Sequence, residues 1–269
     1  MVSPVTILAK IIFGEICLLK LHWDEEVSDE IAKKWKTWVK ELKHTPAVTV
    51  PRCVSTISQS HFELHGFADA SKFAVCAAIY AVSYCGETPF DRNLLVAKSR
   101  VAPKNLSIPR LELVAAHTLA KLQSNVENAL KSFPIASFHN WVDSVTVLYW
   151  LSGHGEWSTF VRNRVKKIRE LSRATWKYVP TGENPSDLGT RRTSPDKLDE
   201  SWFKGPGWLT DGSTGPIEPE ISETQEVKLE AAKTRSTTKA MFLADERVPE
   251  RTSENGLTNY LTACLIGNY

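Results

Sequence analysis

A single acid interrupts a strand-like stretch of this chain at the point where an ion is hardest to place. From Phe62 to Tyr80 apolar and small residues dominate, and Asp69 stands among them in His65-Gly66-Phe67-Ala68-Asp69-Ala70-Ser71. Side chains alternate along a strand, so Phe67 and Asp69 share one face while Ala68 and Ala70 share the other. A carboxylate on a buried face is too costly as a lone ion, so it must be paired, hydrogen-bonded or bound to a cation. The expectation is a cation.

Strand patterns recur around this stretch, at Phe62 to Ala68, Val75 to Tyr84 and Leu94 to Ser99, with turn residues between them at Ala70-Ser71-Lys72 and Gly86-Glu87-Thr88-Pro89. Three consecutive strands predict an antiparallel meander. Ser107 and Pro109 then mark a helix start, and Leu111, Val114, Ala115, Thr118, Leu119, Leu122 and Val126 repeat at helical spacing. A fourth strand, Ser137 to Val142, leads through Asp143-Ser144 into a short helix over Val145 to Leu151. After Gly153-His154-Gly155 a basic amphipathic helix runs from Phe160 to Leu171, with Val161, Val165, Ile168 and Leu171 inside. A fifth strand, Thr175 to Val179, stops at Pro180, and Asn184-Pro185 opens one more helix. This order predicts an α/β domain with a mixed five-stranded sheet flanked by helices.

The flanks read differently. Residues 1–52 predict two helices, the second capped by Ser28 and carrying Ile31, Trp35, Trp38, Val39 and Leu42 as a core-facing stripe. Pro46 to Cys53 is the natural boundary, giving a helical segment over 1–52 and the main domain over 53–210. From Asp211 the sequence turns to Thr, Ser, Glu and Lys with scattered Pro, which predicts a flexible acidic tail over 211–269. That tail holds 10 acidic and 6 basic residues, leaving 27 basic against 21 acidic up to residue 210. This mild positive surplus permits a nucleic-acid partner. The apolar run from Val5 to Leu21 is broken by Lys10, Glu15 and Lys20, which argues against both a signal h-region and a membrane span. Five cysteines without a CxxC pair fit a reducing compartment, so the expected location is cytoplasmic.

Three more acids fall at element boundaries of the predicted sheet: Glu112 one turn into the main helix, Asp143 at the end of the fourth strand, and Asp187 in the first turn of the last helix. Each has an ordinary explanation as a cap, a dipole partner or a surface residue. Glu112 is set apart by Ala115 and Ala116, small residues that let its helix approach the sheet. Four converging carboxylates repel unless divalent cations lie between them, and hard oxygen donors suit magnesium or manganese. A metal pair of this kind serves phosphodiester hydrolysis. No GxSxG elbow or GxxxxGK loop points elsewhere.

The segments Gly66-Phe67-Ala68-Asp69-Ala70-Ser71, Lys98-Ser99-Arg100-Val101-Ala102-Pro103, Ile108-Pro109-Arg110-Leu111-Glu112-Leu113, Trp141-Val142-Asp143-Ser144, Phe160-Val161-Arg162-Asn163-Arg164-Val165 and Glu183-Asn184-Pro185-Ser186-Asp187 together resemble the ribonuclease H region of BEL/Pao-type retrotransposon polyproteins. Trp202-Phe203-Lys204-Gly205-Pro206-Gly207-Trp208-Leu209 is similar to that family's closing motif. Val2-Ser3-Pro4-Val5-Thr6 and Leu21-His22-Trp23-Asp24 resemble the segment that joins its reverse transcriptase to its ribonuclease H. The resemblance implies a ribonuclease H-like fold and magnesium-dependent hydrolysis of the RNA strand of RNA-DNA hybrids, with two ions held by Asp69, Glu112, Asp143 and Asp187. It also implies polymerase and integrase domains of a parent polyprotein as partners, since neither a Tyr-x-Asp-Asp motif nor a His/Cys zinc module is present. No histidine follows His154, whereas many ribonucleases H carry one in the loop before the last helix.

A catalytically idle nucleic-acid-binding module of the same fold stays open beside the nuclease, whereas the four-acid arrangement with its first acid in Phe67-Ala68-Asp69-Ala70-Ser71 argues against a transposase or integrase core. For substrate contact the better candidates are Lys98, Arg100, Lys104 and Arg110, near the acids in sequence. Arg162 and Arg164 stand on the basic helix, where they either track phosphates or form a solvated face. Cys53, His61 and His65 match no zinc spacing. Trp202 and Trp208 flank a Gly-Pro-Gly turn that folds both rings back onto the domain.

Overall fold

The computed structural model describes residues 2–22, 24–43, 61–153, 155–191, 193–195, 198–211 and 215–236. The boundary expected at Pro46 to Cys53 lies outside them. Five strands form one sheet: β1 (His61–Ala70), β2 (Ala74–Cys85), β3 (Thr88–Val101), β4 (Ile135–Val142) and β5 (Thr175–Tyr178), in the order β3-β2-β1-β4-β5. The first three pair antiparallel as the predicted meander. β4 pairs parallel to β1 and β5 parallel to β4. The mixed sheet flanked by helices is therefore present as expected.

Helices cover both faces, which is why β1 and β2 read as nearly continuous apolar runs. On one face lie α3 (Ile108–Ala129), α4 (Val145–Ser152) and α5 (Thr159–Leu171), which bury Leu113, Ala116, Leu119, Val147, Trp150, Val161, Val165 and Ile168 against Ala68, Ala77 and Ile79. Pro109 in the first turn of α3 is pre-set for a helix start. The approach of α3 to β1 is so close at Gly66 that a Cβ there would lie 2.7 Å from Leu119 Cδ1 and 2.6 Å from Asn140 Oδ1.

The other face is covered by α1 (Ser3–Leu19) and α6 (Glu200–Lys204) with the turn that follows it. Val5, Phe67, Tyr80, Trp141, Trp202 and Leu209 form one buried cluster there. Trp202 is fully buried, and Trp208 packs 4.7 Å from Trp141, so both rings do fold back on the domain. Gly205 makes this possible: its φ is +73°, and a Cβ there would meet the Tyr80 ring at 3.0 Å.

Three expectations need correction. α2 (Asp29–Leu42) does not bury its whole stripe. Ile31 is buried and the Trp38 indole donates to the Val5 carbonyl, but Trp35 and Val39 are 45% and 38% exposed. Among the described residues α2 packs mainly on α1, with Leu42 reaching the sheet-face cluster, and one helix covers only one edge of such a stripe. The helix expected from Asn184-Pro185 is a five-residue 3-10 turn, Pro185–Gly189. The sheet holds its backbone through Asn184 Nδ2 to the Ala68 carbonyl and Ser99 Oγ to the Gly189 carbonyl, and Gly189 lies against Cys76. Finally, residues after Asp211 are not all linker: Gln225–Ser236 form α7, with Val227 fully buried in the main core. One apolar residue and one acid a turn apart, Val227 and Glu230, leave almost no periodic signal in the sequence. Among the described residues no helix is long and apolar enough to cross a membrane.

Candidate active site

The parallel pairing of β1 with β4 sets the site. Ala68 is opposite Val142, so the next residue on each strand, Asp69 and Asp143, stands at the carboxyl end of two adjacent central strands. Asp143 is not a helix cap. Ser144 caps α4 instead, its hydroxyl accepting from the Val147 N–H at 3.3 Å. Glu112 projects from the start of α3, which Ala115, Ala116 and Gly66 bring down onto the sheet. The Pro185–Gly189 turn brings in Asp187, since Ser186 Oγ donates to the Phe67 carbonyl and Ser71 Oγ to the Thr190 carbonyl.

All four expected acids thus come together, and their electrostatics bear the mark of it. Burial, then Asp143, Asp69 and Glu226, push the Glu112 carboxyl up to about 7, against a hydrogen bond with Ser144. Burial and Asp69 push Asp143 up to about 6, against Thr181. Asp69 is raised by burial, and Asp187 by burial and the charge of Asp69. Carboxylates that raise one another in this way favour a cation between them. The donor set is all oxygen and charged, which fits a hard divalent ion.

Sequence reasoning missed the groups that hold these acids. Thr190 Oγ1 donates to Asp69 Oδ2 at 2.6 Å, and Arg191 Nε pairs with Asp187 Oδ1 at 2.6 Å. Both follow Asp187 at three and four residues, one turn on, and that spacing was the available signal.

The six basic candidates divide into separate places. Lys98 and Arg100 on β3 line a cavity of about 190 Å³ with Thr118, Lys121 and Asn125 of α3. Arg110 and Arg164 lie over the Phe160 ring, 4.7 and 3.5 Å from its centroid. A common field links the two groups: burial, with Lys121, Arg164, Lys167 and Arg100, lowers His117 to about 4. Arg162 borders a different cavity, with Trp157, Lys166 and Arg169, and Lys104 is exposed in the loop after β3. Lys121 and His117 carried no motif and went unnoticed in the sequence.

Among the described residues a second titratable group lies farther back on the Asp69 face of β1, where Glu63, His65 and His139 bring their ligand atoms within 4.8 Å. Hydrogen bonds already use most of those atoms. Tyr84 and Ser137 donate to the two Glu63 oxygens, and His139 bonds Ser137 and Thr175. Trp141 donates to His65 Nδ1, which puts the proton of a neutral ring on Nε2, 3.6 Å from Glu63. The group is a polar network between strands.

A family model described as the Pao retrotransposon-like RNaseH-like domain matches residues 1–144. No curated protein matches the chain. Among solved structures, the chain is similar to the N-terminal RNase H domain of a Mycobacterium tuberculosis protein (14% identity, 46% of this chain and 86% of that one, TM-score 0.30). It is also similar to RNase H1 of Halobacterium salinarum (16% identity, 47% and 90%, TM-score 0.31). A third similar structure is a compost-derived RNase H1 in complex with an RNA/DNA hybrid (12% identity, 51% and 99%, TM-score 0.36).

Proposed function

The chain belongs to the Pao retrotransposon-like RNaseH-like domain family, and from that premise we propose that it is an endonuclease hydrolysing the RNA strand of RNA-DNA hybrids. The observation that carries this reading is the convergence of Asp69, Glu112, Asp143 and Asp187 from four separate elements, each carboxyl raised above its ordinary value. Magnesium or manganese held by these four side chains, as two ions, would supply a Lewis acid and an activated water for phosphodiester hydrolysis. The chain's own residues do the positioning. Thr190 fixes one oxygen of Asp69, Arg191 holds Asp187, and Ser144 anchors Glu112. Lys98, Arg100 and Lys121 present a cationic concavity suited to a phosphate backbone. The chain works beside polymerase and integrase domains of a cytoplasmic retroelement polyprotein.

The test is cleavage of a labelled RNA-DNA hybrid by the full chain, in magnesium or EDTA, beside Asp143→Asn. Magnesium-dependent cutting of the RNA strand alone, absent from the variant, is the expected result. The Arg191–Asp187 pair favours a second reading, an idle module of the same fold, because it compensates one acid without any ion. That module binds hybrid equally well as Asp69→Asn and cuts nothing in either metal.

A further inference from the structure

α7 lies beyond the residues matched by the family model, yet it is docked beside the site. Its Glu230 takes Arg110 in a two-pronged grip, Nε to Oε1 at 2.7 Å and Nη2 to Oε2 at 2.9 Å. Ser158 donates to the same carboxylate, whose side chain is only 6% exposed. Arg110 stands two residues before Glu112 on α3. At the other end of α7, Thr224 receives the Val227 N–H and meets Thr146 of α4 at 3.0 Å, three residues past Asp143. The helix therefore crosses from the strand end that carries Asp143 to the arginine beside Glu112.

Little apolar surface holds it there. Val227 is buried, but Leu229 is 54% exposed. Among its described residues the helix is fastened by Val227, the small Ala231, a threonine pair and an ion pair, so it leans on its electrostatic contact, and an anion of like geometry can replace that contact. Phosphate is such an anion, because the guanidinium fork matches carboxylate and phosphate alike. An exchange leaves Arg110 paired throughout and releases Glu230 to water.

We propose that α7 is a displaceable strap: Glu230 occupies Arg110 as a backbone phosphate would, and an incoming RNA-DNA hybrid takes the arginine from it. The strap rests on the nuclease reading above. It accounts for a buried glutamate gripping an arginine two residues from Glu112, and it makes this chain bind hybrid more weakly than its cationic surface allows.

The test uses the full chain with Glu230→Gln, which keeps the apolar anchor, and Val227→Ser, which keeps the ion pair. Hybrid affinity is measured in EDTA by anisotropy over a series of salt concentrations, and amide exchange over residues 225–236 is followed with and without hybrid. Release of one phosphate-binding arginine should tighten binding about tenfold and steepen the log K against log salt slope by about 0.9. Adding Arg110→Ala to either variant should erase both effects, and hybrid should speed exchange in α7 of the unaltered chain. If both variants remain folded by circular dichroism yet bind with the original affinity and slope, the strap is overturned and the nuclease reading stands. If neither the unaltered chain nor the variants bind hybrid, both fall.

Discussion

The Thr190 hydroxyl donates to Asp69 Oδ2 at 2.6 Å, joining the turn after Asp187 to the central strand of the sheet. Thr190 also bonds the Asp187 carbonyl at 3.0 Å, so one side chain spans two of the four acids. Thr190→Val keeps the shape and removes the donor. A lost hydrogen bond to a charged group is worth about 1.5 kcal/mol, so hybrid cleavage should fall roughly tenfold. The pH at which cleavage becomes half-maximal should move upward, because this bond lowers the Asp69 carboxyl. Unchanged cleavage in a folded variant would remove Thr190 from the site.

Without divalent ions the ionised acids should destabilise the fold. Glu112 is raised from 4.5 to about 7 and Asp143 from 3.8 to about 6. The folded state therefore keeps protons that the unfolded chain gives up, and stability in EDTA should fall as pH rises from about 4 to 7. Glu112→Gln cannot ionise, so in EDTA at pH 8 it should be more stable than the unaltered chain, by on the order of 2 kcal/mol. Urea denaturation at pH 5 and pH 8 measures both. Excess magnesium should stabilise the unaltered chain at pH 8 and have less effect on the variant.

Gly66 tests whether helix position matters as much as helix presence. A methyl group there meets Leu119 and Asn140 inside 3 Å. Gly66→Ala should cost roughly 1–3 kcal/mol by overpacking. It should also lift α3, and Glu112 with it, so that cleavage under fully folded conditions drops more than stability alone explains. Single-turnover assays below the unfolding transition separate the two effects.

Lys121 offers a check on the basic concavity that is independent of α7. Lys121→Ala should weaken hybrid binding and reduce the salt slope by about 0.9, the signature of one lost phosphate contact. Lys104→Ala, in an exposed loop, serves as the comparison. An equal loss in both would mean a diffuse field rather than a built pocket.

The elements that bury a continuous stripe were legible in the sequence. α3, with apolar residues at every three and four positions, and β1, a nearly continuous apolar run around Asp69, both formed where the pattern placed them. The four acids were legible for the same reason, as charges set at the ends of apolar elements. Features made by partnership were not. Trp35 has the pattern of a core residue but stands 45% exposed among the described residues, and Pro185–Gly189 is a turn because its side chains and the Gly189 carbonyl are tied to the sheet. α7 draws on a buried valine and on an acid whose partner lies 120 residues away in sequence, a pairing that no local window contains.

The parallel pairing of Phe62–Ala68 with Ile135–Val142 also bears on when the molecule acquires its chemistry. β1, β2 and β3 are neighbours in sequence and zip together soon after synthesis, but the other edge of β1 waits until α3 and then β4 have left the ribosome. Such late, non-local closure is slow, and the open edge meanwhile resembles a template for a foreign strand. Asp69 therefore spends its first moments without Asp143, and the carboxylate pair exists only once the last central strand is in place.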